Sequence, residues 1–218
     1  FMDLLGKYLS KDDVVVADDG AHLTWALQSI KVTKNQRIFS AFGNSPMGYA
    51  FPAAIGASIA LNKKKIICID GDGSIQINIQ ELQTLITNKL PIKIIVINNE
   101  GYGIIKQFQE LYLDKRYEAV DSKKGVTNPN FSKIAKAYGI SYSEIKNNNE
   151  IGKILKKTLK SKNAEFINVL VKPNQKIIPK LTFGSPLEDL SPQLSREELL
   201  KNMIVKPISK NKNIIESN

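Results

Sequence analysis

The sequence predicts an α/β fold in which a doubly wound, mostly parallel sheet carries helices on both faces. Three short apolar runs indicate buried parallel strands: VVVAD at residues 14–18, KKIICID at 64–70 and KIIVIN at 93–98. Segments with helical spacing separate these runs, and alternation of strands and helices is typical of parallel sheets. At 218 residues, with 42% hydrophobic and 24% charged, the chain can form one substantial domain plus a tail.

The remaining elements follow from the same periodicities. In the first half they are a helix over residues 4–9, a helix over 21–30, a short strand at 37–42, a turn at 43–46 and a helix over 47–61 rich in small residues. Pro52 is tolerated in that last helix if it lies in the first turn. The second half predicts a helix over 75–89, a helix that starts at Asn128 or Pro129 and ends at Gly139, a strand at 140–145, a helix over 150–161 and a strand at 165–171.

The C-terminal part differs in composition from the rest of the chain. Residues 1–179 are expected to form the folded domain. Residues 180–218 should form an extension of proline-punctuated loops, with a short amphipathic helix at 195–203 and a tail at 206–218 too polar to order itself. The chain opens almost directly into a helical pattern, which suggests a piece of a longer protein.

Composition narrows the possible partners. The net charge of +10 comes from 31 basic against 21 acidic residues, but the lysines are scattered and not interleaved with aromatics, so no nucleic-acid partner is expected. The single cysteine, Cys68, lies in an apolar strand and is expected to be buried. No apolar stretch reaches about 18 residues and no leader precedes the first helix, so we expect no membrane partner and a cytoplasmic location.

Three predicted strands end in polar or small residues, in ADDGAH, IDGDGS and INNEGYG. Ligands of doubly wound sheets bind beyond the carboxyl ends of the strands. Asp72 offers a carboxylate oxygen, Asn99 an amide oxygen and Gly101 an unobstructed carbonyl, a partial oxygen cage of the type that Mg²⁺ takes when phosphates complete it.

An anion is expected beside that metal. Gly71 and Gly73 allow close backbone approach, while Ser74 and the amides that open the next helix face an anion with the positive end of the helix dipole. Two other interpretations of the acidic loop stay open, namely a calcium-type loop and a simple strand-to-helix turn.

The motif GDGS, followed on the next strand by paired asparagines, resembles the signature of thiamine diphosphate enzymes. The resemblance extends to their acetolactate synthase group through VVVADDGAHLTWALQ, which is similar to an Asp-x-Gly-x-His-x-x-Trp stretch, through GNSPMGYAFPAAIGA, and through NPNFSKIAKAYGI. It covers about residues 4–179 and is more specific for the cofactor than for the reaction.

The resemblance assigns roles to individual residues. Asp72, Asn99 and the Gly101 carbonyl would bind Mg²⁺. Met47 would be the catalytic wedge that bends the cofactor, so that its amino group meets the thiazolium carbon, and the Ser45 carbonyl would receive the aminopyrimidine. The diphosphate would be held by Ala21, His22, Gly71, Gly73, Ser74, Tyr102, Gly103 and Ile104. Met47 as core filler and His22 as a structural surface residue remain alternatives.

Two positions depart from the group's pattern. Ala21 stands where a polar glutamine is frequent, so one diphosphate contact would be missing or made by the backbone. Phe108 stands where synthases that favour 2-ketobutyrate carry tryptophan, which argues mildly against branched-chain amino-acid synthesis. Tyr102 and Phe108 are candidates for shaping the substrate pocket. The long C-terminal extension is similar to that of synthase-like proteins that modify sugars.

The resemblance implies an enzyme that decarboxylates a small 2-oxo acid, pyruvate first of all, and passes the two-carbon unit to an acceptor. The glutamate that protonates the aminopyrimidine belongs to a pyrimidine-binding domain, and this chain has no counterpart of it. We therefore expect the pyrimidine-binding domain of another chain as partner, a middle domain that could carry FAD, and a homodimer or higher oligomer. The alternatives are a subunit of another thiamine diphosphate decarboxylase and a cofactor-binding module that is inactive alone.

Overall fold

The structure is a computed structural model that describes residues 1–207. The chain divides into two units, one over Phe1–Lys176 and one from Ile177 onward. The domain boundary expected after residue 179 stays a prediction. Most of the tail predicted at 206–218 lies outside the described residues.

The first unit contains a six-stranded sheet with seven α-helices around it. The strands are β1 (Val14–Ala17), β2 (Arg37–Phe39), β3 (Ile66–Gly71), β4 (Lys93–Asn98), β5 (Ser141–Ile145) and β6 (Glu165–Leu170). The helices are α1 (Met2–Tyr8), α2 (Ala21–Ser29), α3 (Ala50–Ala60), α4 (Leu82–Thr87), α5 (Gly103–Tyr112), α6 (Phe131–Ala137) and α7 (Asn148–Lys160), with short 3₁₀ helices at Ile75–Glu81 and Ser122–Lys124.

All strand pairs in this sheet are parallel, in the order β2-β1-β3-β4-β6-β5. The predicted fold class is confirmed. Alternate residues of the central strands enter two separate cores: Val14 and Val16 pack with α3, α4 and α6, whereas Val15 and Ala17 pack with α1, α2 and α7. Because both faces are covered, the strands need continuous apolar runs rather than alternation.

Beside β1, the connections between strands pass over opposite faces of the sheet. Helix α2 follows β1 on one face, and α3 and α4 lie on the other. Since β1 and β3 are adjacent, the helices that follow them diverge and leave a crevice at the carboxyl ends of these strands. This is where ligands of doubly wound folds bind.

Helix α3 and strand β2 differ in extent from the expectation. Helix α3 begins at Ala50, which places Pro52 in its first turn as expected. Strand β2 ends at Phe39 rather than at residue 42. Helix α5 was not predicted at all.

The helix predicted over 75–89 is wrong in its first half. A 3₁₀ segment, Ile75–Glu81, precedes α4, and within this segment Asn78 has the non-helical angles φ −125° and ψ 31°. The Asn78 side chain donates to the Gly48 carbonyl over 2.6 Å, a tertiary bond that fixes this break. The β-branched isoleucines at 75, 77 and 79 also disfavour an α-helix.

The predicted start of α6 is also wrong. The helix begins at Phe131 and is capped by Asn130, whose side chain accepts from the Lys133 amide over 3.1 Å. A residue before proline is disfavoured in helical conformation, so Asn128 stays in the preceding loop.

The second unit contains the predicted short helix, α8 (Arg196–Asn202). Ser195 caps it by accepting from the Glu198 amide over 3.1 Å. Arg196 forms a bidentate ion pair with the buried Asp189 carboxylate, with N–O distances of 2.8 and 3.1 Å.

Candidate functional site

A pocket opens at the carboxyl ends of β1, β3 and β4. It is lined by Asp19, Gly20, Ala21, His22, Trp25, Met47, Gly71, Asp72, Gly73, Ser74, Ile97, Asn99, Gly101, Tyr102, Ile104 and Ile105. Most of the predicted site residues therefore lie together. Among the described residues, Ser45, Gly103 and Phe108 are the predicted ones that do not line it.

Asp72 joins the loops that follow β3 and β4. Its Oδ1 accepts from the Gly73 amide over 3.0 Å, and its Oδ2 accepts from the Gly101 amide over 2.9 Å. The side chain is 2% exposed, and this burial raises the pKa of Asp72 to about 6 although the hydrogen bonds oppose it. A buried carboxylate of this kind is stabilised by a cation.

Asn99 brings a third group to the same point. One terminal atom of its amide lies 2.8 Å from the Gly101 carbonyl oxygen and 3.3 Å from Asp72 Oδ1. If that atom is the nitrogen, it donates to both oxygens. If it is the oxygen, three oxygens converge and require a cation.

The two distances from the Asn99 amide atom, 2.8 and 3.3 Å, are compatible with magnesium. Oxygens on neighbouring corners of an Mg²⁺ octahedron lie about 2.9 Å apart, given bonds of about 2.0–2.1 Å. The donor set of Asp72, Asn99 and Gly101 therefore fits the metal that the motif implies. Which metal binds there stays a prediction.

Two glycines make room beside this point. Gly101 has φ +154°, and a Cβ atom there would overlap the Val120 carbonyl oxygen. A Cβ atom on Gly73 would overlap the Tyr102 ring. The close packing of these loops therefore requires glycine at both positions.

His22 lies buried between two glycine backbones. A Cβ atom on either Gly20 or Gly71 would come within 3.0 Å of its ring, which is part of a side chain only 5% exposed. Burial lowers the pKa of His22 to about 4, although a hydrogen bond to the Asp18 backbone opposes the shift. Its Nε2 atom has no hydrogen-bond partner. The alternative of a surface histidine is wrong, and His22 is one of the residues that line the pocket.

Two further buried carboxyl groups lie beneath this histidine. Asp18 and Asp70 each offer an oxygen that lies within 4.8 Å of the other's and of a His22 nitrogen. Burial raises the pKa of both, and for Asp70 the neighbouring Asp18 adds to the effect. The Ser74 hydroxyl donates a hydrogen bond to the Asp70 carboxylate, which links the loop after β3 to the end of that strand.

Asp18 connects this cluster to the Met47 segment. Its carboxylate accepts from the amides of Gly48 over 3.0 Å and Ala50 over 2.6 Å. Gly48 has φ +85°, and Asn78 binds its carbonyl from the other side. Met47 is half-buried at the pocket edge and held by these contacts. The sequence analysis did not identify Asp18; its position at the end of β1 is the signal that could have found it.

Comparison with known proteins identifies the family. Residues 18–169 match the family described as "Thiamine pyrophosphate enzyme, C-terminal TPP binding domain". The chain belongs to this family. Thiamine pyrophosphate is another name for thiamine diphosphate, so the predicted resemblance is confirmed at the level of the cofactor-binding domain.

Acetolactate synthases are among the similar curated proteins. The chain is 36% identical over 176 residues to the large subunit from Porphyra purpurea, covering 81% of this chain and 29% of that protein. It is 32% identical over 200 residues to the isozyme 2 large subunit of Escherichia coli strain K12, covering 89% and 36%. For the mitochondrial enzyme of Schizosaccharomyces pombe the values are 36% over 178 residues, 81% and 26%. The chain thus spans about a quarter to a third of these relatives.

Phe108, which was predicted to shape the substrate pocket, lies outside the pocket lining. Phe108 lies on α5, 39% exposed, with its ring centroid 5.0 Å from that of Tyr112. Its part in a substrate pocket stays a prediction.

Across residues 1–207, none of the helices is both long and apolar enough to cross a membrane.

Proposed function

We propose that this domain binds Mg²⁺ with thiamine diphosphate and serves an enzyme that decarboxylates a 2-oxo acid, pyruvate first of all, and transfers the two-carbon unit to an acceptor. The observation that carries the proposal is that the Asp72 carboxylate, the Gly101 carbonyl and one terminal atom of the Asn99 amide converge on one point. Its membership of the thiamine pyrophosphate enzymes and its acetolactate synthase relatives support the same reading.

Each residue then has a physical task. Asp72, Asn99 and the Gly101 carbonyl hold the metal, and backbone amides around Gly73 face the diphosphate. Met47 would pack against the cofactor, and the Ser45 carbonyl would receive the aminopyrimidine. When bound, the cofactor supplies a nucleophilic carbon and an electron sink. No side chain of this domain needs to be the nucleophile.

His22 would meet the diphosphate through its unpartnered Nε2. In the apo domain the imidazole is neutral, because burial lowers its pKa to about 4. An anion at Nε2 favours the protonated ring, which can donate a hydrogen bond to it.

The partners belong to the same proposal. The pyrimidine-binding domain would come from another chain, in a homodimer or larger oligomer, and a middle domain could hold FAD. The chain's coverage of at most 36% of the three relatives above supports further domains. Large apolar side chains are exposed on and near α3, among them Phe42, Ile59 and Leu61. They support an interface with another subunit on this face of the domain. A cytoplasmic location is part of the proposal.

The test is product formation. The chain is mixed with a pyrimidine-binding domain from an acetolactate synthase relative, thiamine diphosphate, Mg²⁺ and carboxyl-labelled pyruvate. Labelled carbon dioxide and a carboligation product are expected. Met47→Ala should lower turnover and leave metal binding intact, whereas Asp72→Ala should abolish both.

The other outcomes separate the alternatives. Carbon dioxide without a carboligation product would indicate a simple decarboxylase. Cofactor binding without turnover, although the added domain supplies the glutamate, would indicate a binding module. The absence of both binding and turnover would refute the proposal.

A further inference from the structure

Asn128 lies outside the pocket lining, yet its side chain contacts the carboxylate expected to bind the metal. It belongs to the loop that precedes α6. Its Nδ2 donates to Asp72 Oδ2 over 2.6 Å. Its Oδ1 accepts from Gln76 Nε2 over 3.0 Å, and the same Gln76 nitrogen donates to the Asp72 carbonyl over 2.9 Å. Asp72, Asn128 and Gln76 therefore form a closed ring of hydrogen bonds.

This ring distinguishes the two oxygens of Asp72. Oδ2 receives two donors, the Gly101 amide at 2.9 Å and Asn128 at 2.6 Å. Oδ1 accepts from the Gly73 amide and is the oxygen that faces the Asn99 amide. A carboxylate whose far oxygen is held by donors presents its near oxygen in one orientation, as outer-shell partners of metal ligands do.

The local sequence explains why Asn128 is available for this contact. Pro129 disfavours a helical conformation for the residue before it. The helix cap is made instead by Asn130, on the other side of the proline. Two asparagines that flank one proline thus have separate tasks, one at the site and one at the helix.

We propose that Asn128 is a positioning residue, which orients the Asp72 carboxylate and thereby sets the affinity of the Mg²⁺-diphosphate site. The inference rests on the proposed function for its ligand, but the contact itself is independent of any ligand. The role differs from coordination, because the Asn128 amide nitrogen points at Oδ2 and not at the converging oxygens.

The experiment compares Asn128→Ala with the matched control Asn130→Ala in the 218-residue chain. Calorimetry measures the Kd of thiamine diphosphate with Mg²⁺. Loss of an outer-shell partner should weaken binding about 10- to 100-fold in Asn128→Ala. Asn130→Ala should lower the Tm, because it removes a helix cap, and leave the Kd within about twofold.

A second measurement needs no cofactor. Amide hydrogen exchange, read by NMR, reports the Gly101 amide that shares Asp72 Oδ2 with Asn128. Freeing the carboxylate should accelerate this exchange about tenfold in Asn128→Ala, but not in Asn130→Ala.

The outcomes separate this inference from the proposed function. An unchanged Kd together with unchanged Gly101 exchange in Asn128→Ala would overturn the inference, as would equal weakening by both variants. If the wild-type chain alone binds no cofactor, binding is measured again with the pyrimidine-binding domain added. If binding is still absent, the proposed function fails and exchange alone decides. Acceleration specific to Asn128→Ala would then support the positioning role, and unchanged exchange would overturn it.

Discussion

Lowering the pH should destabilise this domain through its single histidine. The imidazole of His22 is buried, and its pKa is about 4 in the folded chain against an ordinary value of 6.5. Between these values the unfolded chain binds a proton that the folded chain excludes, so the free energy of unfolding falls as the pH falls. The contribution is fully present above pH 6.5, and linkage gives a loss of about 2.6 kcal/mol between pH 7.5 and 4.5.

Urea unfolding measures this effect when wild type is compared with His22→Gln at each pH. Carboxylates distant from His22 cancel in the difference, which should shrink by about 2–3 kcal/mol from pH 7.5 to 4.5. Because the sequence contains one histidine, its imidazole signals also give the pKa directly by NMR. A measured pKa near 6.5, or a difference that is flat with pH, would refute the buried neutral histidine.

Three further substitutions test the packing, each by urea unfolding. Gly101→Ala should lower the free energy of unfolding by at least about 2 kcal/mol, because it adds strain at φ +154° and a clash with Val120. In the control Gly125→Ala, where φ is +87° and the space is open, the loss should be only about 1 kcal/mol. Equal losses in the two variants would contradict the clash. Phe166→Ala should cost about 3–5 kcal/mol, because the ring is fully buried between two aromatic rings; a loss under about 1 kcal/mol would contradict this packing. Asn147→Ala should cost about 1 kcal/mol by opening the capping box of α7, and no change would contradict the cap.

The sheet could be predicted because each of its central strands is a short, recognisable segment of the sequence. Both faces of β1, β3 and β4 are covered, so each appears as an unbroken apolar run that ends in a polar loop. The carboxyl ends of parallel strands share one edge, and this allowed Asp72 and Asn99 to be placed together before the structure was known.

Other features depend on contacts between distant residues. The break at Asn78 is fixed by its bond to Gly48, thirty positions earlier in the chain. Asp18 and Asn128 matter through what they contact, namely the Met47 segment and Asp72, and neither contact follows from periodicity. Helix α5 was missed because it starts at the second glycine of Gly-Tyr-Gly, a sequence that is typical of a loop.

The central claim is that the Asp72 carboxylate, the Asn99 amide and the Gly101 carbonyl bind Mg²⁺ and so attach the diphosphate. Calorimetric titration of thiamine diphosphate into the wild-type chain, with and without Mg²⁺, and into Asp72→Ala tests it most directly. We predict binding that requires Mg²⁺ and is lost in Asp72→Ala. Binding of equal strength without the metal, or in the variant, would contradict the claim.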